Sequence, residues 1–119
     1  MARTPDPASL LPLPTASFHI LLALARSELH GYAVMQAVGT RTDGALRLSA
    51  GTLYRSIHRL LEQGLVEELR ERPAPEHDDE RRRYYRLTRF GREVVRAETS
   101  RLSGLVDMAR ESGLAPDEA

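Results

Sequence analysis

Apolar residues recur along this chain with the period of helices, interrupted once by two short alternating runs. Phe18, Leu21, Leu22 and Leu24 predict a first helix, capped by Thr15 and running to about Glu28. His30-Gly31 breaks that pattern and opens a second helix, on which Tyr32, Met35 and Val38 share one side and which Gly39 ends. The stretch RTDGALRL reads as a turn followed by a short extended piece. Leu53, Ile57, Leu60 and Leu61 mark the core face of a third helix, opened by the Ser49 hydroxyl and stopped by Gly64.

Beyond Gly64 the period changes. Val66 and Leu69 belong to one strand, Tyr85 and Leu87 to a second, and Pro73–Asp79 forms the loop between them. Tyr84 and Tyr85 must face opposite ways, so one is core and the other is not. Thr88 then caps a long last helix reaching about Glu111. The fold class that follows is mainly α with a small β-hairpin: a winged helix-turn-helix with a long C-terminal dimerisation helix. Residues 1–14, proline-rich, are expected as a flexible arm, 15–88 as the winged domain, 89–112 as the dimerisation helix and 113–119 as a flexible tail.

On the last helix Phe90 and Val94 should close onto the domain. Val95, Leu102 and Ala109 are seven residues apart, with Leu105 beside them, which is the spacing of a coiled-coil seam. A stripe running past the domain needs a partner, and a second copy of the chain is the expected one.

Composition adjusts this picture in three places. With no cysteine among 119 residues, disulfides and thiolate chemistry are excluded. Every basic residue is arginine, and net charge is zero, which weighs mildly against nucleic acid. The charge is segregated, however: Arg81, Arg82, Arg83, Arg86 and Arg89 follow directly on the acidic Glu76, Asp78, Asp79 and Glu80. The apolar run Phe18–Ala25 imitates a signal peptide, but His19 interrupts it, prolines and Asp6 precede it, and it is too short for a membrane span. A cytoplasmic protein is expected.

A helix feeding straight into a basic-flanked hairpin is the arrangement that presents itself to a DNA duplex. Ser49, Thr52 and Tyr54 offer hydroxyls at the N-terminal end of the third helix, and Arg55 and Arg59 can reach phosphates or guanine edges. Arg81, Arg82 and Arg83 on the returning strand suit phosphate contact. Metal binding is not expected: His77, Asp78, Asp79 and Glu80 are too close in sequence to converge on one ion, and His58 has no second histidine one turn on. No nucleophile–base pair, paired catalytic carboxylates or glycine-rich phosphate loop can be assembled, so neither an enzyme nor a cofactor is expected.

Taken in order, His30-Gly31-Tyr32, Gly51-Thr52-Leu53-Tyr54 through Arg59-Leu60, Gly64-Leu65-Val66, and Arg83-Tyr84-Tyr85-Arg86-Leu87-Thr88 with Gly91 resemble the PadR family of bacterial transcriptional regulators. The resemblance covers about residues 16–112 and is closest to the short subgroup with a single C-terminal dimerisation helix. It implies a homodimeric repressor on a near-palindromic double-stranded DNA operator, released by a small apolar or aromatic effector. The residues matching the effector cavity are Phe18, His19, Leu102 and Val106. The acidic wing tip and the absence of tryptophan depart from the family pattern. The rival reading is a winged-helix protein–protein module that has lost DNA binding.

Overall fold

The computed structural model describes residues 5–69 and 83–116. Helix α1 spans Thr15–Leu24, strand β1 Leu29–His30, α2 Gly31–Arg41, α3 Ala50–Glu62, β2 Val66–Glu68, β3 Tyr84–Leu87 and α4 Arg89–Glu111. The strands form one antiparallel sheet in the order β1-β3-β2. This is the winged helix-turn-helix arrangement expected from the sequence. The wing loop, Arg81, Arg82 and residues 117–119 lie outside the described residues.

The third helix forms as its pattern predicts. Ser49 Oγ accepts the Thr52 N–H at 3.1 Å, satisfying one of the four N–H groups that a helix start leaves unpaired. Leu53, Ile57 and Leu60 are fully buried, whereas Leu61 packs only partly. At the other end Gly64 takes the left-handed φ of +76°, which lets the Leu65 N–H return to the Leu60 carbonyl at 3.0 Å.

Several elements differ from expectation for identifiable reasons. Helix α1 starts with Pro14 at its N-cap and no side-chain cap, and ends at Leu24, not Glu28. The residues after it turn so that Leu29 and His30 can pair with Tyr85 and Tyr84, adding a third strand. Ile20 and Ala23 join Leu21 and Leu24 in the core, while Phe18 and Leu22 are only half-buried. Helix α2 continues past Gly39 to Arg41, because the left-handed residues that stop it come later, at Asp43 and Gly44. There the Thr42 hydroxyl donates to the Val38 carbonyl at 2.8 Å and accepts the Leu46 N–H at 3.1 Å. Val34 and Val38 supply the packing of α2, and Tyr32 is 57% exposed.

On β3, Tyr85 and Leu87 are buried and Tyr84 faces the other way, its ring edge-on to His30 at 5.3 Å. His30 also caps α2, its Nδ1 accepting the Ala33 N–H at 3.2 Å. That bond requires a bare Nδ1, so the ring proton of neutral His30 sits on Nε2.

The segment expected as a flexible arm is instead packed from residue 7 onward. Pro7–Leu10 makes a single 3-10 turn lying on α4, Leu13 is buried, and Leu10 and Leu11 rest against the core. Its anchor is Glu98 in the middle of α4. One carboxylate oxygen accepts the Leu13 N–H at 2.7 Å; the other accepts Arg101 Nε at 2.5 Å. The Arg101 bond holds the Glu98 carboxyl below the ordinary glutamate range; burial opposes the shift and the Leu13 amide supports it. The start of the tail is ordered too: the Leu114 N–H returns to the Ala109 carbonyl at 2.8 Å and Arg110 Nε donates to the Pro116 carbonyl at 2.9 Å.

A pH prediction follows from Glu98. Because its folded pKa is depressed, its contribution is present above the unfolded value of about 4.3 and lost as pH falls through the folded value. Glu98→Gln should cost about 1.5–3 kcal/mol at pH 7, the worth of hydrogen bonds to a charged group. The gap between variant and wild type should narrow as pH is lowered below about 4. Urea titrations at neutral and acid pH check this; a gap constant with pH would contradict it.

Candidate nucleic-acid interface

Helix α3 buries one side and offers the other. On the outer side the Ser49 hydroxyl donates to Thr52 Oγ1 at 3.1 Å, and Arg55 Nη2 donates to the same oxygen at 3.5 Å. Ser49, Thr52 and Arg55 therefore form a hydrogen-bonded row along the exposed surface. Arg59, one turn further, is exposed, and its side chain makes no hydrogen bond or ion pair among the described residues. His58 lies 3.2 Å from Glu62, an ion pair only when the imidazole is protonated.

Tyr54 is half-exposed, and its ring rests on the start of α2. A Cβ at Gly31 would stand 2.5 Å from Tyr54 Oη and 2.9 Å from Cζ. Glycine at position 31 lets the Tyr54 ring lie directly on the start of α2; a Cβ there would make the ring shift. The same tyrosine borders a cleft of about 440 Å³ between α3 and the hairpin, with His58, Glu68, Arg83 and Tyr85 among its walls. The Tyr85 hydroxyl is pushed above its ordinary pKa, chiefly by burial and then by the Glu68 charge.

The base of the hairpin is more neutral than the run of arginines suggests. In the observed register Glu67 faces Arg86 and Glu68 faces Tyr85. Arg86 Nε meets Glu67 at 2.6 Å and Arg83 Nη1 meets Glu68 at 3.4 Å. Of the three wing arginines singled out from the sequence, only Arg83 is described, and it is exposed. The cross-strand pairing was not visible in sequence because it depends on register.

The dimer-seam residues separate into two groups. Val95 packs against the chain's own core, and Leu102 and Ala109 are half-buried. Leu105 is 47% exposed, with Val106 and Met108 also exposed beside it. Helical spacing puts Leu102, Leu105 and Ala109 on the same face as Gly91, Val94 and Glu98, which are buried against the domain. That face therefore continues past the domain as an apolar surface, partly covered at Leu102 and Ala109 and open at Leu105. Met108 and Leu114 are exposed as well and lie off the heptad spacing of the seam.

Phe18 and His19 on α1 and Leu102 on α4 are half-buried, Val106 is exposed, and the two helices touch. None of these four residues lines the α3–hairpin cleft or the larger cleft of about 630 Å³ along α2. Among the described residues no group of three or more His, Cys, Asp or Glu side chains could hold a metal ion, and no helix is long and apolar enough to cross a membrane.

With this geometry in view, comparison with known proteins identifies the family. The model of the "Transcriptional regulator PadR-like family" matches residues 20–97, more than half of the chain. This protein belongs to the PadR-like family. A 37.1 kDa protein in transposon TN4556 of Streptomyces fradiae is 36% identical over 103 residues, which are 87% of this chain and 27% of that protein, so the chain spans about a quarter of that relative's length. A PadR family transcription regulator from Clostridium difficile superposes with a TM-score of 0.68 at 19% identity, covering 82% of this chain and 97% of the other. A transcriptional regulator from Clostridium thermocellum gives 0.67 at 21% identity, covering 81% and 87%. The PadR-like chain thus shares the winged-helix fold of these regulators, with α3 at the position of its second helix-turn-helix element and β2–β3 as the wing.

Proposed function

We propose that this PadR-like protein is a homodimeric, sequence-specific DNA-binding repressor whose α3 enters the major groove. The observation that carries the reading is the outer face of α3, where Thr52, Arg55 and Arg59 project away from the buried Leu53, Ile57 and Leu60. Ser49, Thr52 and Tyr54 supply hydroxyl contacts, and Arg55 and Arg59 contact base edges or phosphates. Arg81, Arg82 and Arg83 contact phosphates from the wing. A twofold dimer repeats these contacts, so the operator is a near-palindrome. A small apolar or aromatic effector entering between α1 and α4, beside Phe18, His19, Leu102 and Val106, changes the spacing of the two α3 helices and releases the duplex.

Fluorescence anisotropy with the gene's own upstream region and a scrambled duplex tests this. For a dimer making about 6–10 phosphate contacts, affinity should fall about 10³–10⁵-fold between about 50 and 200 mM salt. Arg55→Ala or Arg59→Ala should narrow the operator-to-random gap by about 1–3 kcal/mol where the side chain reads a base. Arg81→Ala, Arg82→Ala or Arg83→Ala should weaken both duplexes alike and lower the salt slope by about one. Flat salt dependence would sink the DNA reading. It would favour a winged-helix protein-binding module, a reading supported by zero net charge and by the pairing of Arg83 and Arg86 with carboxylates.

A further inference from the structure

Away from α3, the turn after α1, the C-terminal end of β3 and the first turns of α4 enclose a small cleft of about 190 Å³. Three arginines line it, Arg26, Arg86 and Arg92, together with Ser27 and Glu28; Leu24 and Leu87 are among its apolar lining. Arg86 is engaged through Nε with Glu67. The side chains of Arg26 and Arg92 make no hydrogen bond or ion pair among the described residues, and neither does that of Arg96 one turn further along α4.

We infer that this cleft is a binding site for a phosphate group, held by Arg26 and Arg92, with the Glu67-paired Arg86 adding positive charge. Two arginines that border one cleft and whose side chains lack carboxylate partners among the described residues suit a tetrahedral oxyanion, which can accept paired N–H donors from each guanidinium. A volume of about 190 Å³ lies below the 300–1,000 Å³ usual for drug-sized ligands, so the site takes an anionic head and leaves any larger moiety in solvent. The end of α1 and the start of α4 bring opposite helix dipoles to the same place, leaving the side-chain charges to decide its sign. Three arginines against Glu28 and Glu67 leave it positive. The site does not depend on α3, and the inference stands whether or not the protein binds an operator.

The test is a titration of the full chain with inorganic phosphate, at ionic strength held constant with chloride, followed by two-dimensional NMR. Saturable shifts confined to residues 24–28, 86–87 and 92 are expected. Arg26→Ala and Arg92→Ala should each weaken binding about tenfold or more, the equivalent of one hydrogen bond to a charged group. Their thermal midpoints should stay at the wild-type value. A parallel titration with a short duplex separates the two sources of phosphate. Shifts at the same residues would assign the site to the DNA backbone; shifts on α3 alone would assign it to a free phosphate compound. Non-saturating shifts spread over all arginines, or binding unchanged in both variants, would overturn the proposal.

Discussion

Gly91→Ala is expected to destabilise the protein by about 3 kcal/mol or more, the upper end of what overpacking costs. A Cβ at position 91 would stand 2.1 Å from the Leu65 carbonyl oxygen and 3.0 Å from its carbon. The obstacle is backbone, so no rotamer change relieves it. That backbone is also fixed from several sides: the Leu65 carbonyl accepts the Thr88 N–H at 3.1 Å, and the Thr88 hydroxyl donates to the Gly64 carbonyl at 2.6 Å while capping α4 through the Gly91 N–H at 2.9 Å. Making room for a methyl group means pulling α4 off the end of α3 and the start of β2. For a domain of this size the thermal midpoint should fall by roughly 12 °C or more. Gly39→Ala is the matched control, since the space around Gly39 is open and its helix should gain about 0.5–1 kcal/mol. Equal midpoints for Gly91→Ala and wild type would mean that α4 docks less rigidly than these contacts imply.

The close approach at Gly91 shows where reading the sequence stops. Position 91 could be recognised as part of a motif, yet its reason lies in a carbonyl 26 residues earlier. Helix α3 was legible almost entirely, because its cap, its buried stripe and its Gly64 stop all act within the helix itself. Strand β1 was not, because a two-residue strand carries no period and exists only through its pairing with Tyr84 and Tyr85. The same limit hid the Glu67–Arg86 and Glu68–Arg83 pairs, which need the register. Proline content suggested a loose N-terminal segment. The reach of Glu98 to the Leu13 amide, 85 residues away, makes the opposite true.

For the proposed interface on α4, Leu105→Asp should turn the dimer into monomers. Leu102→Asp is the less clean experiment: Leu102 is half-buried within its own chain, so a charge there also strains the fold. Leu105 is 47% exposed in the single chain, and the substitution should leave the domain's own stability nearly unchanged. In a twofold interface each substitution counts twice. Losing burial worth about 1.5–3 kcal/mol per leucine should therefore raise the dissociation constant by about 10²–10⁴-fold, before any cost of enclosing the carboxylates. Sedimentation velocity at micromolar concentration reads the change directly. Operator affinity should fall with it, since a single wing-and-helix unit keeps only half of the phosphate contacts and its salt slope should halve as well. A tight dimer in Leu105→Asp would move the interface away from the apolar face that continues from Val94 and Glu98. A monomer that still binds the operator with the full salt slope would instead show that one copy carries every contact.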